Sequence, residues 1–321
     1  MFTRAKAALI GALAVTVATV AQAGDYPSKP INVIIPFPAG SNLDIITRIP
    51  NEALSKELGV PVNSINVPGG GTVPAVMKFL GAEADGYTLL RWVAPTLVTN
   101  PIMRDVPYDP RESIVPIFHD ATNSNVLYVK GDSEFETFQQ FVEAAKSRKL
   151  LIGINAIGAP PHMSVAQLNM LFDIELPVLA QKSIPNSMAG LIGGQTDAAI
   201  GQLKQQEAYG DEIRALAILD RRLPHFERYL PGIKTAEELT GQPSDSWING
   251  GYAVKAGTPP EIMERLVAAA EKVMNNDAYR ASVEKYTVPT WVGGVEDTKA
   301  LVAEGWHLYE PIITQLGLAQ K

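Results

Sequence analysis

The sequence predicts an α/β protein of two lobes, each a mainly parallel sheet flanked by helices. From Ile31 onward, short apolar runs alternate with helical patterns, the signature of βα units. The chain has 321 residues, 46% of them apolar, a length that favours two domains over one. No Gly/Ser linker, internal repeat or low-complexity tract divides it, so the lobes should be joined by chain crossovers rather than strung in series.

The first strand is read over Ile31–Phe37. The next segment places Ile45, Ile46, Ile49, Ala53, Leu54 and Leu58 on one helical face, with Gly59 as its stop and Pro50 expected to kink it. Further strands are read over Val62–Val67, Tyr87–Val93, Asn125–Val129, Leu150–Asn155, Leu176–Gln181, Thr196–Gly201 and Arg214–Leu219. Toward the C-terminus, Pro259 and Pro260 open a helix with Ile262, Leu266, Ala269, Ala270 and Val273 on one face. A last helix is expected from about Glu296 to Leu316.

Arg4 and Lys6 precede an apolar run from Ala7 to Val20 and then Ala21-Gln22-Ala23. The run is shorter than the roughly 20 residues that span a bilayer, and the small residues suit cleavage after Ala23, so a secretory signal peptide is expected over residues 1–23. The mature chain should then work outside the cytoplasmic membrane, in the periplasm. Net charge is −7 and no basic stripe is present, which argues against nucleic acid as a partner. Cysteine is absent, excluding disulfides, thiolate metal sites, a Cys nucleophile and a lipid carried on an N-terminal Cys.

His119, His162, His225 and His307 are scattered without HExxH or any other close ligand pair, so no metal site is expected. Neither GxSxG nor GxxxxGK[ST] occurs. Gly69-Gly70-Gly71 stands where a dinucleotide fingerprint would, but Pro74 occupies its third glycine position, and a plain turn is the better reading. No cofactor is expected.

Two strand-to-helix loops carry the chemistry. In Phe37-Pro38-Ala39-Gly40-Ser41-Asn42-Leu43-Asp44, Gly40 permits an unusual turn while Ser41, Asn42 and Asp44 can cap the helix, so several N–H groups can converge on an anion. Ordinary N-capping accounts for these side chains equally well. The second loop runs Asn155-Ala156-Ile157-Gly158-Ala159-Pro160-Pro161-His162. Ligands of open α/β sheets sit beyond the carboxyl ends of strands, so two such loops from two lobes can form a clamp.

At this point the chain resembles the substrate-binding proteins of tripartite tricarboxylate transporters, the Bug family. The resemblance rests on Tyr26-Pro27-Ser28-Lys29-Pro30-Ile31, the first loop, Asn66-Val67-Pro68-Gly69, Ala84–Leu90, Asn100-Pro101, Pro107-Tyr108-Asp109-Pro110, Leu191–Asp197 and Ala256-Gly257-Thr258-Pro259. It implies a two-lobed "Venus flytrap" periplasmic binding protein with no enzyme activity, holding a small carboxylate and delivering it to a membrane permease of two subunits. It also implies one lobe of residues 24–123 plus 248–321, a second of 124–247, and a crossover near Asn123. A monomer is expected. The implied ligand contacts fall on Phe37, Pro38, Ala39, Gly40, Ser41, Asn42, Asp44, Trp92, Thr96, Asn155, Ile157, Gly158, Ala159, His162 and Lys182.

The chain departs from the family pattern where the ligand should lie. Pro160 and Pro161 replace residues with N–H groups, Gln181 stands where Tyr usually precedes Lys182, Gly201 replaces a frequent Asp, and Arg91-Trp92 stand where small residues are common. With one anionic pole intact at the first loop, a weakened second pole, and Trp92 and Ile157 expected in the cleft, a monocarboxylate or aromatic carboxylate is favoured over citrate-like acids. Repacked loops with Lys182, Asn155 or His162 supplying the missing donors remain the alternative. A ligand sensor of the same fold, a secreted hydrolase and a structural or adhesive role are the competing functions.

Overall fold

The computed structural model describes residues 26–220, 226–242 and 247–320. The expected signal peptide with its cleavage site, and His225, lie outside the described residues. Ten strands form one connected sheet: β1 (Ile31–Ile35), β2 (Val62–Asn66), β3 (Thr88–Val93), β4 (Ile114–Lys130), β5 (Ile152–Ile154), β6 (Val178–Ala180), β7 (Ala198–Gln202), β8 (Ile213–Ile218), β9 (Trp247–Lys255) and β10 (Val288–Gly293).

β1 lies between β2 and β3, parallel to both, and β5 likewise pairs β6 and β7 in parallel. These are the βα units the sequence predicts. Between them run antiparallel strands: β3 pairs β9, and β9, β10, β7 and β8 all pair β4 antiparallel. The sheet is therefore mixed rather than mainly parallel. β4 changes partners midway: Ser124 is its last residue opposite β9, and Asn125 is the first opposite β7.

Alternation along the strands feeds cores on both faces. Ile31, Val33 and Ile35 of β1 face a cluster with Leu54, Leu58, Leu266 and Ala270, while Ile34 joins Phe79, Trp92, Val98 and Tyr309 on the other side. On β4, Leu127 and Val129 meet Phe138, Phe141 and Ile152, whereas Val126 and Tyr128 meet Met188, Leu191 and Ala199. The first helix, Asn42–Leu58, runs as one element through Pro50 and ends at Gly59 in the left-handed conformation. The helices Pro260–Met274 and Val295–Gln315 match the two expected at the C-terminus.

The eight strands read from sequence are present with slightly shifted ends, but three features were not foreseen: the first half of β4, β9 and β10. Ile114–Ser124 contains Pro116 and the polar run His119–Ser124, which disguises it as a loop; the register shifts between Pro116 and Phe118 and again between His119 and Ala121, so bulges absorb the misfits. β9 contains Gly250-Gly251, a poor strand signal on its own. Gly251 is required by close approach, since a Cβ there would stand 2.0 Å from the Phe118 carbonyl oxygen and 2.7 Å from Trp92 Cζ2. Gly251→Ala should force β9 away from β4 and lower unfolding stability by about 2–4 kcal/mol, measured by denaturant titration.

Candidate functional site

A cavity of about 1090 Å³ opens where both loops meet the β4–β9 region, just above the roughly 300–1,000 Å³ of most small-molecule sites. Phe37, Ser41, Leu43 and Ile46 come to it from the first loop and helix, and Asn155, Ala159 and Pro160 from the second loop. Ala121, Thr122 and Asn123 of β4, with Asn249 and Gly250 of β9, form its floor.

The first loop is organised around the carboxylate of Asp44, which is only 2% exposed. Its Oδ2 accepts the Gly40 N–H at 2.8 Å and Arg48 Nε at 2.9 Å, and its Oδ1 accepts Asn66 Nδ2 at 2.8 Å. Asn66 Nδ2 also donates to the Phe37 carbonyl at 3.0 Å, tying β2 to the loop. Ser41 is the N-cap, its Oγ accepting the Asp44 N–H at 3.3 Å, while its own N–H donates to Pro38 O at 3.2 Å. The N–H groups of Gly40 and Ser41 are thus spent inside the loop. Those left at the positive end of the helix are the N–H groups of Asn42 and Leu43, which no intrahelical acceptor can take. The Asn42 side chain lies outside what the structure describes. Pro38, Ala39 and Gly40 are exposed and stand outside the cavity wall.

Burial pushes the Asp44 carboxyl up, but the hydrogen bonds from Arg48, Gly40 and Asn66 and the Arg48 charge outweigh it and hold the group below its usual 3.8.

The second loop is poorer in donors than the sequence suggests. The Gly158 N–H donates to His162 Nδ1 at 3.1 Å, the Ala159 N–H to Ala156 O at 3.3 Å, and the His162 N–H to Ala159 O at 2.9 Å. Gly158 and Ala159 therefore offer no free N–H to a ligand, contrary to expectation, because the loop closes on itself. Pro160 and Pro161 fill the first two helical positions and have none to offer. His162 is nearly buried, which lowers its imidazole below the usual value and suits the accepting role of Nδ1. Asn155 lines the cavity while its Oδ1 accepts the Ala156 N–H at 2.9 Å. Ile157 is 53% exposed and outside the wall.

Two further expectations are corrected or displaced. Trp92 does not line the cavity: it is 2% exposed in the core with Ile34, Phe79 and Ala253, because strand alternation sends Trp92 to one face and Arg91 and Val93 to the other. Lys182 is exposed outside the wall, while its neighbours Ser183, Ile184 and Pro185 line it. Thr96 lines the cavity as expected, its Oγ1 bonded to Val93 O at 3.1 Å.

The sequence reading named Arg91 only as a departure from the family pattern and passed over the other charged residues of the wall, which among the described residues are Lys204, Lys285 and Glu207. Arg91 is fully buried and paired with Asp120 through Nη1–Oδ1 at 2.6 Å. Burial pushes the Asp120 carboxyl up, against the pull of the Arg91 guanidinium. Burial likewise lowers the Lys204 ammonium, whose Nζ stands 5.2 Å from the Tyr229 ring centre. On the floor, Thr122 Oγ1 bonds Asn249 Oδ1, Asn123 Nδ2 donates to Gln202 Oε1 at 2.9 Å, and Thr287 Oγ1 donates to Thr122 O at 3.0 Å. Among the described residues, no three His, Cys, Asp or Glu side chains gather as for a metal ion.

Because the folded-state value of Asp44 is depressed, its contribution to stability is present above pH 3.8 and lost as pH falls through the folded value. Asp44→Asn should flatten this acid dependence in denaturation curves between neutral pH and pH 3, and Asp44→Ala should cost about 2–4 kcal/mol at neutral pH.

Comparison with known proteins places this geometry in a family. Residues 46–318 match the tripartite tricarboxylate transporter family receptor, TctC. A UPF0065 protein of the tcbD-tcbE intergenic region of Pseudomonas sp. strain P51 is 31% identical over 301 residues, covering 91% of this chain and 88% of its own. Protein BugT of Bordetella pertussis is 26% identical and covers 98% of both chains. Among solved structures, a TctC solute-binding protein from Polaromonas superposes with a TM-score of 0.80 at 24% identity, covering 90% of this chain and 99% of its own. An R. palustris protein with adipate gives a TM-score of 0.77 at 21% identity, covering 92% and 99%. These neighbours share this chain's fold, and the family that matches is one of transporter receptors rather than enzymes. The chain belongs to the tripartite tricarboxylate transporter receptor family.

Proposed function

We propose that this receptor captures a small organic acid in the cavity between its two loops and hands it, as a monomer in the periplasm, to a two-subunit membrane permease. The observation that carries the ligand class is electrostatic. The N-terminus of the helix Asn42–Leu58 opens at the cavity through Leu43, and among the described residues the wall carries Lys204 and Lys285 against Glu207, beside the mutually balanced Arg91–Asp120 pair. Such a cavity favours an anion. The adipate-bound neighbour is consistent with a carboxylate. No helix among the described residues is long and apolar enough to cross a membrane.

In this reading, residues 24–123 with 248–321 form one lobe and residues 124–247 the other, with the partner exchange at Ser124/Asn125 as the hinge. The loops bear on the cavity from opposite sides, and closure would bring the apolar walls of Phe37, Leu43, Ile184 and Tyr286 together. One carboxylate is held at the first helix N-terminus. The second loop, with the Gly158 and Ala159 N–H groups internally bonded and prolines at 160 and 161, keeps few donors for a second carboxylate, and an under-bonded buried carboxylate is costly. A monocarboxylate or aromatic carboxylate therefore suits the site better than citrate. The aromatic preference now rests on Phe37 and Tyr286 rather than on Trp92.

Competitive calorimetry with benzoate, succinate and citrate tests this. Benzoate should bind tightest and, at 100 times its Kd, should stabilise the fold by about 2.7 kcal/mol. Pro160→Gly with Pro161→Ser should raise succinate affinity. Tightest binding by citrate would contradict the reading.

A further inference from the structure

Arg91 carries donors that its ion pair leaves unused. Nη1 is bound by Asp120, and the guanidinium stands 5.0 Å from the ring centre of Tyr252, whose hydroxyl interacts with it, but neither Nε nor Nη2 has an acceptor at hydrogen-bond distance and angle although the side chain is 0% exposed. Two orphan N–H sites on a buried cation are expensive, and native interiors rarely keep them without use. Their surroundings point to the cavity. Arg91 and Gly250 both belong to its wall, and a Cβ on Gly250 would stand 3.3 Å from Nη2, so glycine is the thinnest cover this position allows.

We infer that Arg91 is the second recognition group of this receptor, its Nε and Nη2 reading an uncharged oxygen, hydroxyl or carbonyl, on the ligand. The inference rests on the carboxylate reading above and sharpens it. The choice of an uncharged oxygen follows from charge balance. Asp120 already neutralises Arg91 in the buried pair. A ligand carboxylate on the same guanidinium would place two buried anions against one cation, whereas a hydroxyl or carbonyl accepts from Nε or Nη2 at no cost in charge. The acid group stays at the first loop, and the ligand becomes a hydroxy- or oxo-monocarboxylate. The Arg91-Trp92 pair, a departure from the family pattern, thereby acquires a division of labour: Trp92 fills the core and Arg91 faces the site.

The test compares benzoate, 4-hydroxybenzoate and terephthalate with hexanoate, 6-hydroxyhexanoate and adipate by calorimetry. In the wild-type protein at least one hydroxy acid should bind about tenfold or more tighter than its unsubstituted parent, and tighter than the matching diacid. Removing Arg91 alone would strand Asp120, so the pair is replaced together, as Arg91→Met with Asp120→Leu, with folding checked by circular dichroism. The ratio of hydroxy acid to parent should then fall to about one. Gly250→Ala, which keeps the cation but thickens its cover, should lower the same ratio. A hydroxyl preference that persists in both variants, or a wild-type preference for the diacids, would overturn the assignment of Arg91 while leaving the carboxylate reading intact. No binding of any of the six acids would overturn both.

Discussion

The architecture depends on one strand that serves two partners. Along its 17 residues β4 pairs with β9 and β10, then with β7 and β8. Its middle, His119–Asn125, is buried yet contains His, Asp, Thr, Asn and Ser. Buried polar groups must find partners or lose more than the burial gains. The fold meets this with side-chain bonds from Thr122 to Asn249, Asn123 to Gln202, Ser124 to Asp220 and Asn125 to Ser164. These bonds reach in turn into β9, β7, the end of β8 and the helix Pro160–Phe172. The strand that joins the two halves of the sheet is thus also the floor of the cavity, and its polarity is met by side chains of β9, β7, the segment after β8 and the helix Pro160–Phe172.

How much of this was legible in the sequence follows from the same chemistry. Strands with both faces apolar, such as Ile31–Ile35, and helices bounded by Gly or Pro declare themselves by period and punctuation. A strand whose centre is polar does not, since its signal lies in partners more than a hundred residues away, as with Thr122 and Asn249. Both loops were legible as sites because a strand followed by Gly and a capping residue is a local pattern. Which N–H groups they keep free was not, because that depends on Asp44 reaching back to Gly40 and His162 reaching back to Gly158. The parity of Arg91 and Trp92 was missed for a simpler reason: in a strand buried on both faces, sequence does not say which of two large neighbours turns toward a cavity.

The electrostatics of the cavity separate its two sides. The first-loop side presents a helix N-terminus whose geometry is fixed by Asp44, an anion whose oxygens are taken up by Gly40, Arg48 and Asn66. The floor side presents a cation already matched by Asp120, and a buried ion pair of this kind is weak evidence for stability on its own. Lys204 and Lys285 stand on the same wall, with Glu207 beside them.

All of this requires that the two halves of the sheet move about β4 and close on a ligand. Small-angle X-ray scattering of the protein, with and without saturating amounts of the tightest-binding acid, measures that directly. The account predicts a smaller radius of gyration in the liganded state, and an Asp44→Ala variant with weakened contraction. Calorimetric saturation with no change in the scattering curve would contradict it.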